Sequence, residues 1–290
     1  MPMLSCGHEV SDADQVHYCS YLRVPELTAL QQPEGQLRHH DELLFIITHQ
    51  AFELWFKQIL HELAAATRLL ETDNVGYATW LMRRVNQIVR LLTEQIHIME
   101  TMAPQDFFAF RAALSPASGT ESLQYREIEI RSGLRDTARY RPALEAAPGP
   151  PGSEAPQTRV LTDDLAAAWA EPSLHDAFLN LLNRRNVSLE QVYAPLDRAR
   201  HSDLFLLAET LLEYDELFNL WRTHHRAMVE RALSGATKGT GHTTGVRYLD
   251  RTLAYPHFFP ELWDVRATLW QQVGEGQEPR TENQEPLSQE

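Results

Sequence analysis

Three histidines and one arginine are the residues of this 290-residue chain whose surroundings could support chemistry. His49 lies four residues after Phe45 and three before Phe52, on the apolar stripe of a long helical run. A buried imidazole must form a hydrogen bond, because an unsatisfied polar group inside a protein is costly. His49 is therefore either a satisfied core histidine or a functional group that meets a ligand.

His224 and His225 are adjacent near the end of a second long helical run, in the segment LWRTHHRAMVE. His225 follows Trp221 by four residues and shares its apolar face, whereas His224 is turned about 100° away around the helix axis. An imidazole that projects from a rigid helix into an apolar cavity is a common axial ligand of haem iron. The same pattern also fits a core histidine.

Arg111 follows three phenylalanines, Phe107, Phe108 and Phe110. A guanidinium among aromatic rings is costly to bury without an anionic partner. The carboxylate of a substrate would satisfy it with two parallel hydrogen bonds. One of the many glutamates of the chain would serve equally well, so both interpretations stay open.

Other motifs give weaker signals. The segment GATKGTGHTTG (235–245) lacks the GK[ST] ending of a phosphate-binding loop, so we expect a ligand-contacting loop or a plain mobile one. Glu94 and His97 form one E-x-x-H unit, but a di-iron bundle needs two such units, and no second one is found on another long helix. No zinc-binding motif occurs.

The elements that must position these residues are helices. Asp41 can cap an uninterrupted run over residues 42–71, and a second run follows Asn74. Further helices are predicted after Pro104, over residues 121–134, over a weaker segment at 161–182, over Ser202–Leu233, and as two short helices ending near Gln272. Since no segment alternates as a strand would, the predicted fold is all-α, bundle-like, with a loop-rich periphery.

We expect a single helical domain over residues 1–272. Residues 139–158 are rich in proline and glycine and are predicted to form a loop or insertion, and residues 273–290 a polar disordered tail.

The composition excludes several partners. With 40 acidic against 26 basic residues, the net charge of -14 argues against nucleic acid and against anionic membrane surfaces. The start of the chain lacks the features of a signal peptide, and Cys6 and Cys19 do not make a disulfide framework. We therefore expect a cytoplasmic protein with two reduced thiols.

Taken together, several long motifs make the chain resemble the tryptophan 2,3-dioxygenase family. The resemblance covers roughly residues 16–135 and 203–272 and leaves the proline-rich middle unmatched. The motifs that carry it are DELLFIITHQAFELWFKQILHEL, FFAFRAALSPASG, SLQYR, LFNLWRTHH, GTG-x-x-x-G and FFPELWDVR.

The resemblance implies a role for each candidate residue. His225 would be the proximal ligand of a b-type haem, with O2 as co-substrate, and His49 would lie on the distal side and hydrogen bond the indole N–H. Arg111 would bind the substrate carboxylate, Thr240 would hold the α-ammonium with a haem propionate, and Phe45 would line the indole pocket.

Other implied features concern the subunits and the amino-acid end of the site. The segment with Tyr18 and Tyr21 matches a stretch that reaches into the neighbouring active site, which implies a homotetramer. Phe107 stands where some family members carry a tyrosine that meets the carboxylate. His242 stands where a glycine is usual, beside the ammonium site.

The implied reaction is cleavage of the indole C2–C3 bond of L-tryptophan to N-formylkynurenine. His242, together with Thr120 and Glu121, which also depart from the usual pattern, motivates an alternative. In it, the protein is a haem monooxygenase that converts tryptophan or a substituted tryptophan to a 2-oxindole. An alternative of another class is a helical protein that binds haem or amino acids without catalysis.

Overall fold

The computed structural model describes residues 17–115, 122–135, 165–194, 199–233 and 257–275. The chain divides into two compact units. The first comprises Met1–Phe56, Leu91–Ser122 and Trp221–Leu253, and the second comprises Lys57–Arg90, Leu123–Leu220 and Ala254–Glu290. The prediction of one domain over residues 1–272 stays a prediction.

Over the described ranges the chain is helical and contains no strand, which confirms the predicted all-α class. Short 3-10 turns occur at Glu34–Gln36 and Ala112–Leu114, and residues 165–170 are also helical. The remaining helices are α1 Tyr18–Leu22, α2 Val24–Thr28, α3 Glu42–Glu71, α4 Val75–Met99, α5 Pro104–Arg111, α6 Leu123–Ser132, α7 Leu174–Arg185, α8 Leu189–Tyr193, α9 Ser202–Leu233 and α10 Pro260–Glu275.

The two predicted long helices α3 and α9 have the bounds expected from the sequence. α3 starts after Asp41, whose carbonyl accepts the N–H of Phe45 at 3.1 Å. It ends at a reversal in which Asp73 adopts the left-handed conformation with φ 63°. Short polar residues tolerate that conformation better than most, so α4 can begin directly afterwards.

α5 and α6 also begin and end where turn chemistry predicts. Pro104 opens α5, since the first helical position needs no N–H donor. Gly133 ends α6 with φ +124°, and a Cβ atom there would lie 2.6 Å from the Cβ of His175. A side chain at residue 133 would therefore both strain the backbone and clash, which is why the helix stops at a glycine.

The predicted weak helical segment is interrupted at residues 171–173. Ser173 caps α7 reciprocally with Asp176: its side chain accepts the N–H of Asp176 at 3.1 Å, and the Asp176 carboxylate accepts the N–H of Ser173 at 2.9 Å. α10 extends to Glu275, and the other short helix predicted before it lies outside the described residues. The proline-rich segment 139–158 and residues 276–290 also lie outside them.

Cys19 is buried and disulfide-bonded, and Cys6 lies outside the described residues. The expected reduced thiol at Cys19 is therefore wrong, because the count of two cysteines argues against a framework but does not exclude one bond. Within the described part of the chain, no helix combines the length and the apolar character needed to cross a membrane.

Candidate active site

The site begins with an aromatic face on the first part of α3. Phe45, His49, Phe52 and Phe56 are spaced by four, three and four residues, so they lie on one side of the helix. The ring centroids of Phe45 and His49 are 4.1 Å apart, those of His49 and Phe52 6.3 Å, and those of Phe52 and Phe56 6.2 Å. Phe52 and Phe56 are buried.

The last part of α9 brings the second histidine to this face. Trp221 stacks on His225 with ring centroids 5.7 Å apart and an interplanar angle of 18°. The same indole meets Phe52 and Phe56 edge-on, each with a centroid separation of 6.1 Å. A continuous series of ring contacts therefore joins His49 to His225 within the first unit.

α5 supplies a third wall to the same cluster. Phe107 stacks on Phe45 with ring centroids 5.8 Å apart, and the buried Phe110 meets Phe45 edge-on at 5.7 Å. Arg111 is partly buried and lies one turn after Phe107, on the same side of α5. The guanidinium therefore belongs to the end of α5 that carries the aromatic wall.

The proton positions on His49 follow from its hydrogen bond. Its Nδ1 lies 2.7 Å from the carbonyl oxygen of Phe45, and because a carbonyl can only accept, Nδ1 must carry the proton. Desolvation lowers the pKa of His49 below 6.5, against the opposing influence of that carbonyl and of Glu53. A neutral His49 therefore presents Nε2 as an acceptor, and Nε2 has no hydrogen-bond partner among the described residues.

Both imidazoles keep contact with solvent although protein atoms crowd around them. The side chain of His49 is exposed and that of His225 partly so, yet burial lowers the pKa of His225 to about 4, with a smaller contribution from His49.

The donor set suits a haem better than a metal ion held by protein ligands alone. The neutral imidazole of His225 makes no hydrogen bond to any described residue, so a ring nitrogen is available to coordinate. Within the described ranges, no three histidine, cysteine or carboxylate side chains cluster to hold an ion. A haem requires only an axial protein ligand, because the porphyrin supplies four nitrogens, and the aromatic walls suit its apolar faces.

Other predicted residues are not part of this cluster as described. Tyr18 and Tyr21 lie on α1 and are 77% and 74% exposed. Thr240 and His242 lie outside the described residues, as do Thr120 and Glu121, so the proposed ammonium contact and the altered positions are not described.

The E-x-x-H unit of α4 has a different environment from the one a di-iron site needs. Glu94 is exposed, and Nδ1 of His97 lies 3.0 Å from a carboxylate oxygen of Glu100. The His97 ring meets His224 edge-on with centroids 5.5 Å apart, a contact that sequence reasoning missed.

Sequence reasoning also missed Phe110 and Trp221 as members of the site. The available signal was their helical spacing: Phe110 follows Phe107 by three residues, and Trp221 precedes His225 by four. Spacing identifies a shared face, but not the ring on another helix that the face meets.

A surface cleft of about 400 Å³ lies in the second unit, between α3 and α4. It contains none of the predicted site residues, and the Glu62 carboxylate in its wall already accepts a hydrogen bond from Arg84 at 2.7 Å. The aromatic cluster is the better candidate site, because the buried Glu62 carboxylate of the cleft already has internal hydrogen-bond partners, whereas Nε2 of His49 has none among the described residues.

Comparison with known proteins gives a consistent picture. The sequence profile described as Tryptophan 2,3-dioxygenase matches residues 4–147 and 155–269. A protein of Nocardioides sp. named tryptophan 2,3-dioxygenase is 41% identical over 267 residues, which is 88% of this chain and 95% of that protein. Proteins of the same name from Herpetosiphon aurantiacus and Xanthomonas euvesicatoria are 40% and 37% identical, each over 87% of this chain and over 98% and 87% of their own lengths.

Proposed function

Because the chain belongs to the tryptophan 2,3-dioxygenase family, we propose that it oxidises L-tryptophan with O2 and opens the indole ring between C2 and C3 to give N-formylkynurenine. Both atoms of O2 enter this product, so the reaction balances without another reductant. The observation that carries the proposal is the single aromatic cluster that joins an accessible neutral His225 to His49.

The cofactor in this proposal is a b-type haem held by Nε2 or Nδ1 of His225. The chemistry that a b-type haem supplies when it is bound is the binding and activation of O2 at ferrous iron. Support comes from the low pKa of His225. A metal binds only the neutral imidazole, and a low pKa keeps His225 neutral at neutral pH, so protons do not compete with the metal. Trp221, stacked on the imidazole, restricts the rotation of the ring.

His49 has the role of a hydrogen-bond acceptor for the substrate. Its Nδ1–H donates to the carbonyl of Phe45, which leaves Nε2 for the indole N–H. Indole N–H is a very weak acid beside an imidazole, so His49 orients the ring and does not remove the proton. Phe45 contacts His49 directly and would pack against the indole ring.

Arg111 is the proposed partner of the substrate carboxylate. Two parallel hydrogen bonds from a guanidinium fix both the position and the direction of a carboxylate. With the carboxylate held at the end of α5 and the indole N–H at Nε2 of His49, two points of the substrate are restrained. Such restraint lowers the barrier by holding the reacting atoms in place. Phe107, which stacks on Phe45, would exclude water from the space between these two points.

We also propose that the enzyme is a homotetramer in which α1 contacts a neighbouring subunit. The support is the exposure of large apolar side chains on α1, on α2 and directly after α2, which a monomer would leave in water. These side chains are Tyr18, Tyr21, Leu22, Leu27 and Leu30. The mass in solution by light scattering tests this, and a monomeric holoenzyme would contradict it.

The activity is tested by the mass of the product. The purified haem protein is reduced and mixed with L-tryptophan and O2, and the product is weighed by mass spectrometry. A gain of two oxygen atoms is expected, whereas a gain of one would favour the 2-oxindole reaction. The residues that motivate that alternative, such as His242, lie outside the described ones, so no observation favours it. Absence of any product from a haem-loaded protein would contradict the proposal.

A further inference from the structure

The turn before α3 is held in a fixed conformation by its own polar groups. Glu42 is almost fully buried, and its carboxylate accepts the N–H of Arg38 at 2.6 Å and a guanidinium N–H of Arg38 at 3.1 Å. A buried carboxylate that is paired and hydrogen-bonded resists displacement, because moving it would leave the charge without partners. Residues 38–42 are therefore a rigid base for the side chains between them.

His39 lies in this turn and is oriented by two hydrogen bonds. Its carbonyl accepts the N–H of Glu42 at 3.2 Å, and its Nδ1 accepts the N–H of Asp41 at 3.2 Å. Because Nδ1 accepts, the proton of a neutral ring must be on Nε2. Nε2 faces Asp106, 3.5 Å from its Oδ1. The imidazole thus bridges the start of α3 and a carboxylate on α5.

Asp106 lies in the first turn of α5, directly before Phe107, whose ring stacks on Phe45 of α3. Arg111 is the last residue of the same helix. α5 has only eight residues and therefore moves nearly as one piece. The 3.5 Å contact with His39 is made at Asp106, near the start of the helix whose last residue carries the guanidinium.

We propose that His39 and Asp106 form a tether that fixes α5 against the start of α3, and that both are positioning residues for Arg111. The inference rests on the proposed function, since it assigns the tether a consequence for carboxylate binding. The two side chains are 30% and 39% exposed, so the tether adjusts the geometry of the site and does not hold the fold together.

The first test removes the bridge and leaves the turn intact. In His39→Asn the amide oxygen can still accept the N–H of Asp41, but no donor reaches Asp106. His40→Asn is the matched control, because the His40 side chain is 96% exposed and lies 4.0 Å from Asp41. The dissociation constant of the ferric haem protein is measured for L-tryptophan and for tryptamine, which lacks the carboxylate.

We expect His39→Asn to weaken L-tryptophan binding by about three- to tenfold and to leave tryptamine binding and the His40→Asn protein unchanged. Asp106→Asn should give the same loss, and the double variant should be no worse than either single one. Equal losses for both ligands, or additive losses in the double variant, would overturn the proposal.

Hydrogen exchange tests the tether independently of the proposed function. The amides of α5 should exchange faster in His39→Asn than in the wild type or in His40→Asn, whatever the ligand is. If the wild type does not bind L-tryptophan, the proposed function fails and this exchange still tests the tether. Unchanged exchange in α5 would overturn the tether even in an active enzyme.

Discussion

The polar side chains on the two parts of α9 differ in their hydrogen bonding. In the second unit, the buried Tyr214 hydroxyl pairs with Ser132 at 2.8 Å, and buried Asp215 accepts the N–H groups of Phe258 and Phe259 at 3.1 and 3.2 Å. In the first unit, His225 has no hydrogen bond to a described residue and stacks on an indole. The polar groups that have hydrogen-bond partners inside the protein belong to the scaffold. The His225 imidazole, which has no such partner among the described residues, is available to a ligand and therefore indicates the site.

The second unit extends this contrast beyond α9. Tyr193 donates to Glu209 at 2.7 Å, and Arg266 donates to the same carboxylate at 2.7 Å while its guanidinium lies over the Tyr193 ring. Burial together with the Glu209 hydrogen bond raises the pKa of Tyr193 far above its usual range. These groups have internal partners, so we expect changes in them to alter stability and not chemistry.

The largest effect is expected at His225, the ligand-facing residue of α9. His225→Ala should reduce bound haem to below about a tenth of the wild-type content, because the axial ligand is removed. Haem content is measured by absorbance and pyridine haemochrome assay of the purified protein. His224→Ala is the control, since its ring faces His97 and should leave haem content unchanged. Equal haem in the two variants would remove His225 from the site.

The next effect concerns the scaffold end of α9. Asp215→Ala should lower the free energy of unfolding by about 3 kcal/mol. The cause is that the N–H groups of Phe258 and Phe259 and the indole N–H of Trp263 lose their common acceptor. Urea unfolding measures the loss, and the exposed neighbour Glu216→Ala should change little. Equal stability of both variants would show that the contrast between the two parts of α9 is wrong.

A smaller effect, on substrate affinity, is expected at Arg111. Arg111→Ala should weaken binding of L-tryptophan about 30-fold, while tryptamine binding stays within about twofold of the wild type. Titration of the haem spectrum measures both. Arg83→Ala is the control because Arg83 is exposed and lies on α4 in the second unit. A parallel loss for both ligands would mean that Arg111 supports the pocket and does not bind the carboxylate.

The sequence predicts most of the helices because their signals are local. The bounds of α3 and α9 follow from uninterrupted apolar periodicity between capping and turn residues, and the shared face of Phe45, His49 and Phe52 follows from helical spacing. The break before α7 also has a local signal, the capping pair of Ser173 and Asp176. A prediction from apolar periodicity alone does not use this signal and therefore misses the break.

The contacts between helices could not be predicted in the same way. The stacking of Phe107 on Phe45, the contact of Trp221 with Phe52 and the bridge from His39 to Asp106 join residues far apart in the chain. Their geometry depends on packing that no single helix encodes. The resemblance to a family supplied roles for His49 and Arg111, but not the tautomer of His49, which depends on one hydrogen bond.

The smallest expected effect is a dependence of substrate affinity on pH. Only the neutral imidazole of His49 offers Nε2 as an acceptor, so L-tryptophan should bind most tightly above the pKa of His49 and lose affinity as the pH falls through it. Since desolvation holds this pKa below the ordinary value for histidine, affinity should be constant at neutral pH and should decline a few-fold only as the pH falls below that ordinary value. 1-Methyltryptophan has no indole N–H to donate, so its affinity should not share the decline. If both ligands lose affinity in parallel, the titrating group is not the acceptor at His49, and this imidazole belongs with the internally satisfied groups of the scaffold.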